Sequence, residues 1–125
     1  MRKFLTITLM SVALLALAIT ISSARAENGK FAATSTAPEK ITVKIVGFEF
    51  QPKTLTVKVG TTVEWVNEGT RHSVDADDGS FKSEILRQGD KFEHTFTKAG
   101  TFPYHCRFHG EAGGKDMAGK VIVKK

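Results

Sequence analysis

The sequence predicts an all-β protein, an antiparallel β-sandwich of about seven to eight strands. Three observations lead to this prediction. Apolar and polar residues alternate over short runs, turn-forming residues recur every dozen residues or so, and no ten-residue helical period follows the N-terminal segment. A strand that buries one face needs a second layer to cover it, and a second sheet provides that layer.

The alternation identifies the strands in order. The residues that share a strand face are Ile41/Val43/Ile45, Leu55/Val57/Val59, Val63/Trp65, Phe92/His94/Phe96 and Phe102/Tyr104/Cys106. A last strand is expected from about Lys120 to Val123, and Ser83 to Gln88 are expected to form one helical turn or an irregular crossover. The acidic run Asp75 to Ser80 lacks the later glutamate of a calcium-binding loop, so it is predicted to be a solvated turn.

The first 26 residues have the composition of a targeting segment. Arg2 and Lys3 precede an uncharged run of 18 residues, Phe4 to Ile21, and Ala24-Arg25-Ala26 supplies small residues for a peptidase. Residues 1–26 are therefore predicted to be a signal peptide cleaved after Ala26. The run is also just long enough to span a bilayer, so an uncleaved membrane anchor remains an alternative. In both cases the protein is expected to be exported, to a periplasm or a comparable compartment.

Residues 27–39 are polar and without period, which predicts a flexible leader before a folded domain at residues 40–125. Removal of Arg2, Lys3 and Arg25 lowers the formal net charge from +5 to +2. No basic run remains to bind nucleic acid, so a nucleic-acid partner is not expected. The single cysteine excludes an internal disulfide.

Four residues near three predicted strand ends form a candidate metal site. Cys106 and His109 leave the same strand, Met117 is the one methionine left after residues 1–26, and His72 follows an upstream turn. Taken alone, Cys106 is a small buried hydrophobe and His72 a solvated turn residue. Together, a thiolate, two imidazoles and a thioether are a soft mixed donor set, which suits copper better than calcium or magnesium.

Two further histidines are not expected to be ligands. His105 alternates out of the face that carries Tyr104 and Cys106 and is predicted to be exposed. His94 shares a face with Phe92 and is predicted to be a packed or sheet-end histidine.

From about Ile41 to Lys125 the chain resembles the cupredoxins of the plastocyanin, pseudoazurin and amicyanin kind. The resemblance rests on Trp65-Val66-Asn67, His72, the Phe92/Phe96 strand, Gly100, Tyr104-His105-Cys106-Arg107-Phe108-His109 and Met117-Ala118-Gly119-Lys120-Val121. It implies a Greek-key sandwich holding one type 1 copper ion. His72, Cys106 and His109 would then be the strong ligands and Met117 the weak axial ligand. The implied function is single-electron transfer without catalysis.

Three positions depart from that family pattern. Seven residues, Gly110 to Asp116, separate His109 from Met117 and are expected to bulge outward as a loop, with Glu111, Asp116 or a backbone carbonyl as alternative axial donors. Ser73 stands where relatives have an asparagine that ties the ligand loops together. The residues around the metal ligands are therefore expected to be less firmly held. Phe108 replaces a proline.

The expected partners are a redox donor and acceptor that dock near His109 and Phe108, and the expected form is a monomer. Membrane association is expected only if the N-terminal segment is uncleaved. A copper trafficking or storage protein is the alternative function, and a zinc-binding structural module a more distant one. A copper enzyme would need a second copper site and a further domain, which this chain does not supply.

Overall fold

The computed structural model describes residues 37–125, so the predicted signal peptide and most of the predicted leader lie outside the described residues. Residues 37–39 are exposed and have no regular secondary structure. The described part contains eight strands: β1 Lys40–Val46, β2 Glu49–Gln51, β3 Thr54–Lys58, β4 Thr62–Asn67, β5 Asp75–Ala76, β6 Lys91–Thr95, β7 Gly100–Glu111 and β8 Lys115–Lys124. Residues 37–125 include no helix that could span a membrane.

The strands form two four-stranded sheets, in the orders β2-β1-β4-β6 and β3-β8-β7-β5. The predicted all-β sandwich is confirmed, but each sheet is mixed. β1 runs parallel to β4, and β3 runs parallel to β8, while the other pairs are antiparallel. Parallel neighbours need a long connection, and the passage of the chain through the opposite sheet provides it. The alternation of polar and apolar residues shows which face of a strand is buried. It does not show whether neighbouring strands run parallel or antiparallel.

Aromatic side chains fill the space between the sheets. Trp65 of β4 is fully buried, and its ring meets that of Tyr104 in β7 edge-on, with centroids 5.4 Å apart. Phe81, Phe92 and Phe96 also surround Trp65. Burying side chains of this size contributes about 1.5–3 kcal/mol each, and the contact between Trp65 and Tyr104 joins the two sheets.

The segment between His109 and Met117 is a paired hairpin and does not form the outward-bulging loop that was expected. Gly110 pairs with Asp116 and Glu111 with Lys115, across a turn at residues 112–114. Gly110 lies so close to β8 that an added Cβ would stand 2.3 Å from the carbonyl oxygen of Met117. The additional residues between His109 and Met117 therefore extend the pairing of β7 with β8. Glycine at position 110 allows the two strands to approach this closely.

Candidate metal centre

Three side chains converge at one end of the sandwich. Sγ of Cys106 lies 3.8 Å from Nδ1 of His72 and 3.6 Å from Nδ1 of His109, and the two nitrogens are 3.2 Å apart. Cys106 and His72 are fully buried, whereas His109 is partly exposed. Among residues 37–125, no other group of three histidine, cysteine or acidic side chains comes together in this way.

An irregularity in β7 lets Cys106 and His109 meet. In a regular strand, residues three apart point to opposite faces of the sheet. The β7–β8 pairing is interrupted between His105 and Gly110, and residues in such a bulge change the direction of their side chains. The interruption thus brings both donors to one point, while the flanking pairs hold the strand on either side.

The connection that carries His72 is held by backbone and amide hydrogen bonds. His72 and Leu86 exchange N–H···O bonds of 3.0 and 2.9 Å, so Ser83 to Gln88 form an irregular crossover that braces the ligand loop. The buried amide of Asn67 donates to the carbonyls of Thr70 and Leu86 and accepts from the N–H of Gly69. Asn67 belongs to the Trp65-Val66-Asn67 motif that carries the family resemblance, but no feature of the sequence predicts the role of Leu86.

The donor triangle has the size that a transition metal needs. Metal–nitrogen bonds of about 2.0 Å and a metal–sulfur bond of about 2.3 Å, spread at 120°, would place the nitrogens about 3.5 Å apart and sulfur about 3.7 Å from each. The observed separations fit within a few tenths of an ångström. Burial lowers the pKa of His72, and the neighbouring His109 lowers it further. A hydrogen bond with the backbone of Gly47 raises it, but the first two effects are larger. His72 is therefore neutral at pH 7, the form that binds a metal.

Met117 lies at the start of β8 with 2% of its surface exposed, in the same buried cluster as Cys106. The alternative donors Glu111 and Asp116 are both exposed on the hairpin. Neither carboxylate belongs to the group formed by the three converging side chains. Burial thus favours the thioether over these two carboxylates as a fourth donor.

Ser73 is tightly held, contrary to the expected loosening. Its hydroxyl accepts the backbone N–H of Arg107 at 3.0 Å and lies 3.0 Å from the carboxylate of Asp75. Arg107 in turn binds both oxygens of Asp75. Asp75 is 7% exposed and part of β5, so the prediction of a solvated acidic turn is wrong at this residue. These contacts tie the loop of His72 to the segment that carries Cys106.

The rim of the site is aromatic and basic. Phe48 is 63% exposed, and its ring lies against both His109 and His72. The guanidinium carbon of Arg71 stands 4.4 Å from the centre of the Phe108 ring. The sequence pattern did not single out Phe48, because it lies between the first two alternating runs, which end at Ile45 and begin at Leu55.

The remaining histidines lie apart from the donor triangle. His94 packs between Phe81 and Phe96, at 4.8 and 4.9 Å between ring centroids, as predicted. The prediction of an exposed His105 is wrong, because its side chain is 18% exposed and its Nδ1 lies 2.7 Å from Oδ1 of Asp77. The other oxygen of Asp77 accepts the N–H of Gly113 from the hairpin turn.

Known proteins resemble this chain in sequence. Residues 11–123 match the family model of the cupredoxin-like domain. Amicyanin of Paracoccus denitrificans is 35% identical over 100 residues, which cover 75% of this chain and 72% of amicyanin. Chloroplastic plastocyanin of Chlamydomonas reinhardtii is 33% identical over 105 residues, which cover 74% of this chain and 70% of plastocyanin.

Solved structures agree with these relatives. The oxidized form of a leucine-for-methionine mutant of amicyanin superposes with a TM-score of 0.60 at 33% identity, covering 67% of this chain and 81% of that one. A Cu-containing nitrite reductase from Thermus scotoductus gives a TM-score of 0.62 at 34% identity, covering 70% of this chain but 23% of the reductase. Because the family model and relatives above 30% identity extend over most of its length, the chain belongs to the cupredoxin family.

Proposed function

We propose that this protein carries single electrons between redox partners through one copper ion, held by His72, Cys106 and His109 with Met117 as the weak axial donor. The observation that supports this most directly is the triangle of one sulfur and two nitrogens with separations of 3.2–3.8 Å. Copper, when bound, supplies a one-electron couple between Cu(II) and Cu(I). One thiolate and two imidazoles suit both states without fully satisfying either.

The protein frame keeps these donors in place when the charge of the site changes. His72 is held by its bonds to Leu86, Cys106 by the flanking β7–β8 pairs, and the two segments are tied through Ser73 and Asp75. Donors that do not move need little reorganisation, and electron transfer is then fast. This rigidity supports a carrier over a protein that must release its metal.

His109 is the proposed exit for the electron, because it is the partly exposed member of the donor triangle. Phe48 and Phe108 provide apolar contact area beside it, and Arg71, stacked on Phe108, adds positive charge to the same rim. An acidic redox partner would fit this surface. We expect electron-transfer rates to fall moderately as salt screens these charges.

The relatives support a carrier without enzymatic activity. The matched residues make up 72% of amicyanin and 70% of plastocyanin, whereas the chain spans only 23% of the copper nitrite reductase. A copper trafficking or storage protein needs exchangeable ligands, and the full burial of His72 and Cys106 opposes exchange. We also propose that residues 1–26 are a signal peptide and that the protein is exported and monomeric.

The test is copper addition to the purified protein, followed by a visible spectrum and EPR. One equivalent of Cu(II) is expected to give an intense thiolate-to-copper band, because Cys106 supplies a covalent Cu–S bond. Cys106→Ser should abolish the band, and Ser80→Ala, at an exposed residue outside the donor set, serves as the control. A colourless one-to-one copper complex of the native protein would contradict the carrier and favour trafficking.

A further inference from the structure

The hydroxyl of Ser73 lies between two possible acceptors for its hydrogen. Its Oγ is 3.0 Å from Oδ2 of Asp75 and 4.0 Å from Sγ of Cys106, and it also accepts the N–H of Arg107. Ser73 is fully buried, so bulk water does not compete. A hydroxyl has one hydrogen. It therefore donates either to the carboxylate or to the sulfur.

Distance and charge favour the carboxylate. A hydrogen bond to an ionised acceptor at 3.0 Å is roughly twice as strong as a neutral one, whereas 4.0 Å is the far limit for a bond to sulfur. Burial by itself raises the pKa of Asp75, but hydrogen bonds from Arg107 and Ser73 outweigh it, and the pKa lies below its ordinary value. The carboxylate is thus ionised at neutral pH and takes the hydrogen of Ser73.

Arg107 keeps the carboxylate in this orientation. Its Nε donates to Oδ2 of Asp75 at 2.7 Å and its Nη2 to Oδ1 at 2.6 Å. Nη2 also donates to the carbonyl of Ser83 at 2.7 Å, which anchors the guanidinium to the crossover. A two-point pair of this kind fixes direction as well as distance. The pair therefore sets the direction of the Ser73 O–H bond.

We propose that Asp75 and Arg107 are positioning residues that hold the hydrogen of Ser73 away from the sulfur of Cys106 and thereby lower the reduction potential of the copper centre. This inference rests on the proposed function. A hydrogen bond to the sulfur would draw electron density from the thiolate, weaken its donation to Cu(II) and favour Cu(I). Asp75 prevents that bond by accepting the same hydrogen.

The experiment is a double-mutant cycle on the copper-loaded protein, with reduction potentials from equilibrium redox titration. Asp75→Ala is expected to favour Cu(I) tenfold or more, about 59 mV for a one-electron couple, because the freed hydroxyl turns to the sulfur. In a Ser73→Ala background the same substitution should give less than a third of that shift, since no hydroxyl remains. The cycle thereby separates the hydrogen bond from the loss of a negative charge.

Glu64→Gln is the matched control, because Glu64 is an 8% exposed carboxylate paired with lysines on the other sheet. Glu64→Gln should change the equilibrium constant between Cu(II) and Cu(I) by less than twofold. Equal shifts from Asp75→Ala in both backgrounds would overturn the inference, since charge alone would then account for them. If Asp75→Ala does not fold, Asp75→Leu, which likewise offers no acceptor to the Ser73 hydroxyl, is judged by the same criteria. A native protein without a thiolate band would contradict the proposed function itself, before any variant is compared.

Discussion

The ring of Phe48 stands edge-on against the imidazole of His109, with centroids 4.9 Å apart and planes inclined by 71°. The same ring lies 6.1 Å from His72, yet 63% of Phe48 is exposed. Phe48 therefore covers both histidines on the solvent side and remains accessible to a partner. No other large apolar side chain among residues 37–125 is as exposed.

Phe48→Ala should speed the removal of copper by an excess of chelator several-fold, because the ring that shields two donors is lost. The wavelength of the thiolate band should stay the same, since no donor changes. Stopped-flow loss of the visible band measures the rate. Val59→Ala, at a residue that is 42% exposed but outside the site, is the control. Equal rates for both variants and the native protein would show that Phe48 does not shield the centre.

His109→Gly should leave a copper site that added imidazole can enter, because His109 is the donor open to solvent. His72→Gly should bind imidazole much more weakly, since His72 is fully buried. Titration with imidazole, followed by visible and EPR spectra, compares the two variants. His94→Ala and His105→Ala are controls outside the donor set. If either control disturbs the spectrum more than His109→Gly, the ligand assignment is wrong.

Met117→Leu should keep copper and colour while raising the reduction potential, because a weak axial donor tunes the couple more than it holds the metal. Met117→Gln should lower the potential, since an amide oxygen stabilises Cu(II) better than a thioether. Voltammetry and EPR of both variants provide the measurement. Unchanged potentials and EPR parameters in both would remove Met117 from the ligand set.

His94 should make the metal-free protein less stable in mild acid. Burial lowers the pKa of His94 below its ordinary value, so the unfolded chain binds a proton more readily than the folded one. Stability should therefore fall as the pH drops below about 6.5, the unfolded value, until the folded pKa is reached. His94→Gln should reduce this loss between pH 7.5 and pH 5, measured by urea denaturation. A loss of the same size in the variant would contradict the prediction, because His72 contributes equally to both proteins.

Gly110→Ala should lower the free energy of unfolding by about 1–3 kcal/mol, the usual cost of overpacking. The added Cβ would stand 2.3 Å from the backbone oxygen of Met117, so β7 and β8 must separate there. Urea denaturation of the metal-free protein measures the effect, with Ala112→Gly in the exposed turn as the control. Full native stability in Gly110→Ala would mean that the hairpin can yield at this crossing without cost.

Local patterns account for much of the fold and for the choice of candidate donors. The alternation around Val43, Val57 and Trp65 predicted strands that the structure contains, because half-buried strands impose a two-residue period on any sequence. Cys106, His109 and His72 could be selected as candidate donors from donor chemistry together with strand alternation, which set His94 and His105 aside. The direction of neighbouring strands could not be predicted from these local patterns. The parallel pairing of β1 with β4 depends on how the chain passes between the two sheets.

The sequence by itself determined an all-β sandwich and a copper-type donor set, because side-chain polarity and ligand chemistry are properties of single residues and their spacing. Only the tertiary structure decided that Asp75 is buried against Arg107, that Phe48 covers His109, and that residues 110–116 pair as a hairpin. The residues in each of these contacts come together only when the two sheets pack or when two strands pair. A buried ion pair forms only where the fold excludes water from both partners, and local polarity does not reveal such a place.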